Sequence, residues 1–173
     1  AFKLIELNKK YKFIKKNTKL LDIGAYPGGW AQVSSKIITT GKILSLDTKK
    51  MDELKNVSFL QCDFLEENTK EKIFKFFKKE LDVVISDMAA DTTGNKSLDC
   101  IRTNQLCADV IEFSSKILKP NGVLVSKLFM GEDFLEVKEL AKYRFKKVQF
   151  FKPEASRNES RETYLHCSIL KTL

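Results

Sequence analysis

Leu20-Leu21-Asp22-Ile23-Gly24-Ala25-Tyr26-Pro27-Gly28-Gly29-Trp30 runs from an apolar segment into a glycine-rich turn and then into a helical pattern. The unbroken Leu20, Leu21 and Ile23 predict a short strand covered on both faces. Gly24, Pro27, Gly28 and Gly29 then form a turn whose backbone can approach a bound molecule closely. A strand, a glycine turn and a helix N-terminus together can cradle a nucleotide, although the same junction also serves as a plain structural turn. The spacing is G-x-x-x-G-G, not the G-x-G-x-x-G that seats a dinucleotide pyrophosphate, which counts against an NAD-type cofactor.

Upstream of this stretch, Phe2 and Ile5, with Leu4 and Leu7 beside them, fall at helical spacing and predict an amphipathic helix over 2–13 carrying Lys3 near its start. Downstream, a helix to about Ile38 is expected to end in a left-handed cap near Gly41. The segments 42–47, 57–62 and 81–87 read as strands that finish at or beside Asp47, Asp63 and Asp87. In an open α/β sheet ligands gather at the carboxyl ends of strands, so these aspartates and the glycine turn should share one rim. Each is also readable, by itself, as a solvated strand-end acid. A lysine-rich helix over 67–80 separates the last two strands. A long helix over 99–118 should stop before the turn Lys119-Pro120-Asn121-Gly122, which feeds a strand over 123–129. Lys127 lies inside that apolar strand and needs carboxylate partners or a task at the sheet edge. A helix over 132–142 and strands over 146–151 and 162–170 complete an α/β pattern, a parallel sheet with an antiparallel edge.

With 173 residues, 43% of them hydrophobic and 31% charged, the composition fits one globular domain spanning 1–173. No apolar run approaches the roughly 18 residues of a membrane span. The first residues lack the pattern of a signal peptide, so a cytoplasmic location is expected, with a mitochondrion or other organelle as the alternative. The 4 cysteines form no C-x-x-C pair and the single histidine, His166, sits in an apolar run, so no metal site is expected. Lys and Arg number 31 against 23 Asp and Glu, a net charge of +8 that suits a polyanionic partner. Abundant lysine, asparagine, isoleucine and phenylalanine with little arginine would also follow from an AT-rich genome.

Across its length the chain resembles the FtsJ/RrmJ-type ribosomal RNA 2'-O-ribose methyltransferases. The resemblance rests on Ala1-Phe2-Lys3-Leu4, LLDIGAYPGGW at 20–30, Asp47, QCDF at 61–64, SDMA at 86–89, SKLFMGE at 126–132 and KPEASRNESRETY at 152–164. It implies a Rossmann-like S-adenosylmethionine methyltransferase fold, seven mostly parallel strands with an antiparallel last strand and helices on both faces. It also implies a Lys-Asp-Lys-Glu tetrad at Lys3, Asp87, Lys127 and Glu162. Cofactor contacts would come from Gly28, Trp30, Asp47, Asp63 and Asp87, with Gly24, Pro27 and Gly29 in the glycine turn. Tyr26 stands where a smaller residue is commoner, and Ala90 where a proline is usual. In that family a basic segment normally precedes the first lysine, and this sequence opens at Ala1, two residues before Lys3.

The implied reaction is in-line attack of a ribose 2'-oxygen on a sulfonium methyl, which asks the protein for alignment and removal of one proton. Lys127 would act as general base or steering group, Lys3 would add positive potential, and Asp87 and Glu162 would orient the two amines. Asp47 would hold the cofactor ribose and Asp63 the adenine end. The expected partner is ribosomal RNA within the large subunit, met by a monomer, with Arg157, Arg161 and lysines near the first helix either touching phosphates or standing as solvated charge. Transfer RNA or a messenger cap as substrate, a catalytically silent assembly factor and a dinucleotide-dependent oxidoreductase are the competing readings. Base-amine methylation lacks its Asn-Pro-Pro-Tyr-like stretch.

Overall fold

A computed structural model describes residues 1–172. α1 (Phe2–Tyr11) leads into β1 (Lys19–Ile23), α2 (Gly29–Ile37) and β2 (Lys42–Asp47). β3 (Ser58–Gln61), α3 (Glu67–Phe77) and β4 (Leu81–Ser86) follow, then the long α4 (Lys96–Ile117) and β5 (Leu118–Phe129). α5 (Phe134–Arg144), β6 (Phe145–Phe151) and β7 (Glu162–Leu170) end the described chain. The strands form one sheet in the order β3-β2-β1-β4-β5-β7-β6. Pairing is parallel from β3 through β5, and β7 runs antiparallel to both neighbours.

Alternation along β1 and β4 divides the core between the two faces. Leu21, Ile23 and Val84 meet Ile73 of α3, Val110 and Ile111 of α4 and Val137 of α5. Leu20, Val83 and Ile85 point the other way, toward Leu4 and Leu7 of α1 and Trp30 of α2. Both faces are thus covered, which is why apolar residues stand on both sides of these strands, broken within them by Asp22 in β1 and Asp82 in β4. Strand order reverses between β1 and β4, so the chain leaves β1 toward β2 on one side while β4 and β5 extend on the other. That switch point opens a crevice at the carboxyl ends. No helix among the described residues is long and apolar enough to cross a membrane.

Several local expectations change. The inward face of α1 carries Leu4 and Leu7, whereas Phe2 is 76% and Ile5 48% exposed. Seven residues after Leu4 comes the half-buried Tyr11, while seven after Phe2 comes Lys9, so only the first stripe continues over the whole helix. Gly41 is not a left-handed cap; α2 ends at Ile38 in extended geometry. Gly41 is needed because a Cβ there would collide with Thr18 O, where Thr39, Thr40 and Gly41 all donate to Lys16 O. Residues 119–122 do not separate helix from strand but bulge within β5, whose register with β4 jumps from Leu81↔Leu118 to Val83↔Val123. The antiparallel last strand is not the edge: β7 inserts between β5 and β6, and β6 is outermost.

Candidate active site

Where β1 ends, the backbone turns sharply at Gly24, with φ of 71°. A side chain there would collide with Met88 Cγ, so the close passage of this turn over the residues following β4 requires glycine. Gly24 N and Ala25 N both donate to Leu46 O, which ties the turn to β2. At the end of β2 the Asp47 carboxylate accepts from Tyr26 N and from Lys49 N, each at 2.9 Å. After β3, Asp63 Oδ1 accepts from Leu65 N at 3.0 Å, and no protein donor among the described residues reaches its Oδ2.

These groups border a hollow of about 260 Å³ that Phe64 and Met88 also line. A second hollow of about 310 Å³ shares Gly24, Tyr26 and Asp87 with the first and contains Lys3, Pro27, Gly29 and Trp30. Together they make one trough along the carboxyl rim. Gly24, Pro27, Gly29, Trp30, Asp47, Asp63 and Asp87 therefore border a common space. Gly28 does not; at φ of 117° it faces Met51 and Leu54 beneath the turn. Trp30 is mostly core, its ring 5.6 Å from that of Tyr164. The donor set fits S-adenosylmethionine: acceptors for an amino group and a ribose diol at one end, and the N-terminus of α2, without a side-chain cap, for a carboxylate at the other.

The tetrad residues, distant in sequence, come together beside the second hollow: Lys3 and Asp87 border it, and Lys127 and Glu162, which line neither hollow, pair with them. Lys127 lies opposite Tyr164, and Phe129 opposite Glu162, in the β5–β7 ladder. Two-residue spacing along β7 puts Glu162 and Tyr164 on the same face as Lys127. Lys127 Nζ stands 3.3 Å from Asp87 Oδ1 and 3.5 Å from Glu162 Oε2. Lys3 Nζ, from the first turn of α1, donates to Glu162 Oε1 at 2.5 Å. Burial by itself would raise the Glu162 pKa; the Lys3 hydrogen bond and the charges of Lys127 and Lys3 outweigh it and hold it below the usual range.

Several residues of this site had no role assigned from sequence. Tyr164, quoted above only as the end of a motif, is fully buried and donates its hydroxyl to Asp87 Oδ1 at 2.6 Å, with Glu162 Oε1 at 3.3 Å. Burial first, then the two carboxylates, push its pKa up, so it remains a donor. Asn104 on α4 is also buried; it accepts from Phe129 N and donates to Phe129 O, which pins β5 just beyond Lys127. Ala90 N donates to Thr103 Oγ1 at 3.0 Å, a bond that a proline at that position could not make. Arg157 and Arg161 are exposed on the loop before β7, which Glu6 of α1 anchors by accepting from Glu154 N and Ala155 N.

Asp22 is the other unassigned group. It is 1% exposed, its nearest donor is Ser45 Oγ at 3.4 Å, and no cation pairs with it among the described residues. Burial foremost, and then the Asp87 carboxylate, raise its pKa to about 7. An acid inside an apolar strand is the same signal that singled out Lys127. Because the folded pKa lies above the unfolded value, the neutral form is favoured in the fold, and this contribution to stability fades as pH rises from about 4 through 7. Asp22→Asn, measured without cofactor by thermal unfolding, should therefore be more stable than the parent at pH 8, by on the order of a few kcal/mol. The gain should shrink toward pH 4.5, and a pH-independent difference would refute it.

Residues 1–169 match the family model described as FtsJ-like methyltransferase. The chain is 42% identical over 171 residues to the ribosomal RNA large subunit methyltransferase E of Pelagibacter ubique (strain HTCC1062), covering 99% of this chain and 84% of that protein. It is 45% identical over 171 residues to the protein of the same name from Rickettsia akari (strain Hartford), covering 95% of this chain and 75% of that one. A crystal structure of a ribosomal RNA methyltransferase from Plasmodium falciparum is similar with a TM-score of 0.86 and 32% identity, covering 98% of this chain and 95% of that one.

Proposed function

The chain belongs to the FtsJ-like methyltransferase family, and on that premise we propose that it methylates a ribose 2'-hydroxyl in RNA, using S-adenosylmethionine, with a uridine of large-subunit ribosomal RNA as its target. The observation that carries this reading is the convergence of Lys3, Asp87, Lys127 and Glu162 beside the trough. A site for ribose chemistry needs a group that orients a weakly acidic hydroxyl and a route for its proton, and Lys127 would serve as steering group or, as the free amine, as general base. Asp87 and Glu162 fix its amine between them, and Tyr164 fixes Asp87 in turn. Lys3 neutralises Glu162, so that one of the two carboxylates is already offset where alkoxide character develops.

Asp63 and Phe64 would hold the adenine, Asp47 the ribose, and the turn at Gly24 with the start of α2 the amino-acid tail. When bound, the cofactor supplies an electrophilic methyl on a sulfonium. The chain's residues align the 2'-oxygen with that methyl and exclude competing nucleophiles. The protein works as a monomer on the large subunit, in the compartment where ribosomes assemble, which for a bacterial chain is the cytoplasm.

Labelled methyl transfer to purified large subunits and to free ribosomal, transfer and capped messenger RNA, followed by nuclease mapping, tests this. Label should appear in a single 2'-O-methyl nucleotide of large-subunit RNA. Label on a base, on another RNA, or on none would overturn it.

A further inference from the structure

A second concavity lies at the opposite end of the sheet from the tetrad. β1, β4 and β5 begin there and β7 ends there. Val123 borders this cleft while Lys127, on the same strand, reaches the tetrad; four strand residues at about 3.3 Å each separate them by about 13 Å. The cleft measures about 960 Å³, several times either hollow of the trough.

Its walls are cationic. Lys10, Lys12 and Lys15, from the end of α1 and the turn after it, and Lys147 of β6 border the cleft. None of the four has a carboxylate at ion-pair distance among the described residues. Lys19 and Lys119 also line it but are paired with Glu80 and Asp82, and Asp82 is the one acid on the wall. The floor is a stacked pair, Tyr11 on His166 with ring centres 4.0 Å apart. Burial first and then Lys147 depress the His166 pKa to about 4, so the floor is neutral at physiological pH.

Catalysis at the trough uses none of these lysines, and so many unpaired ammonium groups around one hollow repel one another unless an anion enters. The chemistry of the walls names the anion. Lysines without arginine act as point charges, suited to phosphodiesters taken without regard to sequence. None of the exposed large apolar side chains borders the cleft, which is unlike a membrane-inserting surface.

We propose that this cleft is a second RNA-docking site, which takes the phosphodiester backbone of a ribosomal RNA segment other than the one presenting the target ribose. The proposal rests on the reading of the chain as a ribosomal RNA methyltransferase. Because the two sites face opposite ways across the sheet, a short helix cannot fill both. A large folded RNA can, and the second contact then becomes intramolecular and raises overall affinity.

The test compares the triple variant Lys12→Gln/Lys15→Gln/Lys147→Gln with a charge-matched control, Lys72→Gln and Lys75→Gln on α3 with Lys79→Gln in the turn after it, where all three side chains are exposed. Binding to purified large subunits is measured over a salt series. The cleft variant should bind at least about 10-fold more weakly at moderate salt, and its slope of log affinity against log salt should fall by about 2 to 3, at roughly 0.7–0.9 per phosphate contact. The control should stay within about 2-fold, and cofactor affinity should be unchanged in both. Equal losses in the two variants, or no loss in either, would overturn the proposal. So would a loss confined to phosphatidylglycerol vesicles. If the triple variant unfolds, single Lys12→Gln and Lys147→Gln variants should each lower the slope by about 1. Failure of the ribose-methylation reading would appear separately, as absence of methyl transfer to subunits by the unaltered protein.

Discussion

Lys127→Ala is expected to lower methyl transfer to large-subunit RNA by about 1,000-fold or more while cofactor affinity changes by less than about 3-fold, the scale of a lost general base combined with lost alignment. The separation follows from geometry. Lys127 sits on β5 with Asp87 and Glu162 at 3.3 and 3.5 Å, whereas Asp47 and Asp63 line the far half of the trough. Loss of the amine does not leave the two carboxylates bare. Glu162 keeps the Lys3 hydrogen bond and Asp87 keeps the Tyr164 hydroxyl, so the pocket should hold its shape. Lys127→Met, which preserves most of the side-chain volume, should be as inactive as the alanine variant. Lys127→Arg should not restore the rate, because a planar guanidinium between two carboxylates forms bidentate pairs with them and cannot serve as a proton acceptor. Single-turnover rates and equilibrium cofactor titration measure the two effects separately. Turnover near the parental rate in any of these variants would remove Lys127 from the chemistry.

Legibility in the sequence differed between the levels of structure. Strands dominated by apolar residues, such as β1 and β4, show their limits in the chain itself, and so does β7 from Glu162 to Leu170. Their order does not, because the insertion of β7 between β5 and β6 is decided by which edges remain to be paired after the crossovers are made. The tetrad was visible only through resemblance to a family, since nothing local to Lys3 links it to a glutamate on the last strand. Tyr164 follows once the β5–β7 register is known, for it lies opposite Lys127. Asp22 could have been found from sequence, as an acid set among Leu20, Leu21 and Ile23. The cationic cleft could not, because its lysines are drawn from α1, a turn and β6 out of a chain rich in lysine throughout.

Asp47→Ala should have the second large effect, weakening cofactor binding by about 100-fold with little change in the rate of the bound complex. A carboxylate at the end of β2 can accept both hydroxyls of a ribose, and charge-assisted bonds contribute about 1.5–3 kcal/mol each. Removal of the side chain has a second consequence, because Asp47 also receives the Tyr26 and Lys49 amides at 2.9 Å and so shapes the glycine turn. A weakened variant could therefore reflect a disturbed turn instead of a lost ribose contact. A dideoxyribose analogue of S-adenosylhomocysteine separates the two. If Asp47 grips the diol, the parent protein should bind the analogue far more weakly than the natural ligand, and Asp47→Ala should bind both alike. If the turn alone is at fault, the variant should still discriminate between them. Binding of S-adenosylmethionine by Asp47→Ala as tight as that of the parent would remove this residue from cofactor recognition. If both expectations hold, Lys127 governs rate and Asp47 affinity, and a residue of one class should leave the other quantity nearly unmoved.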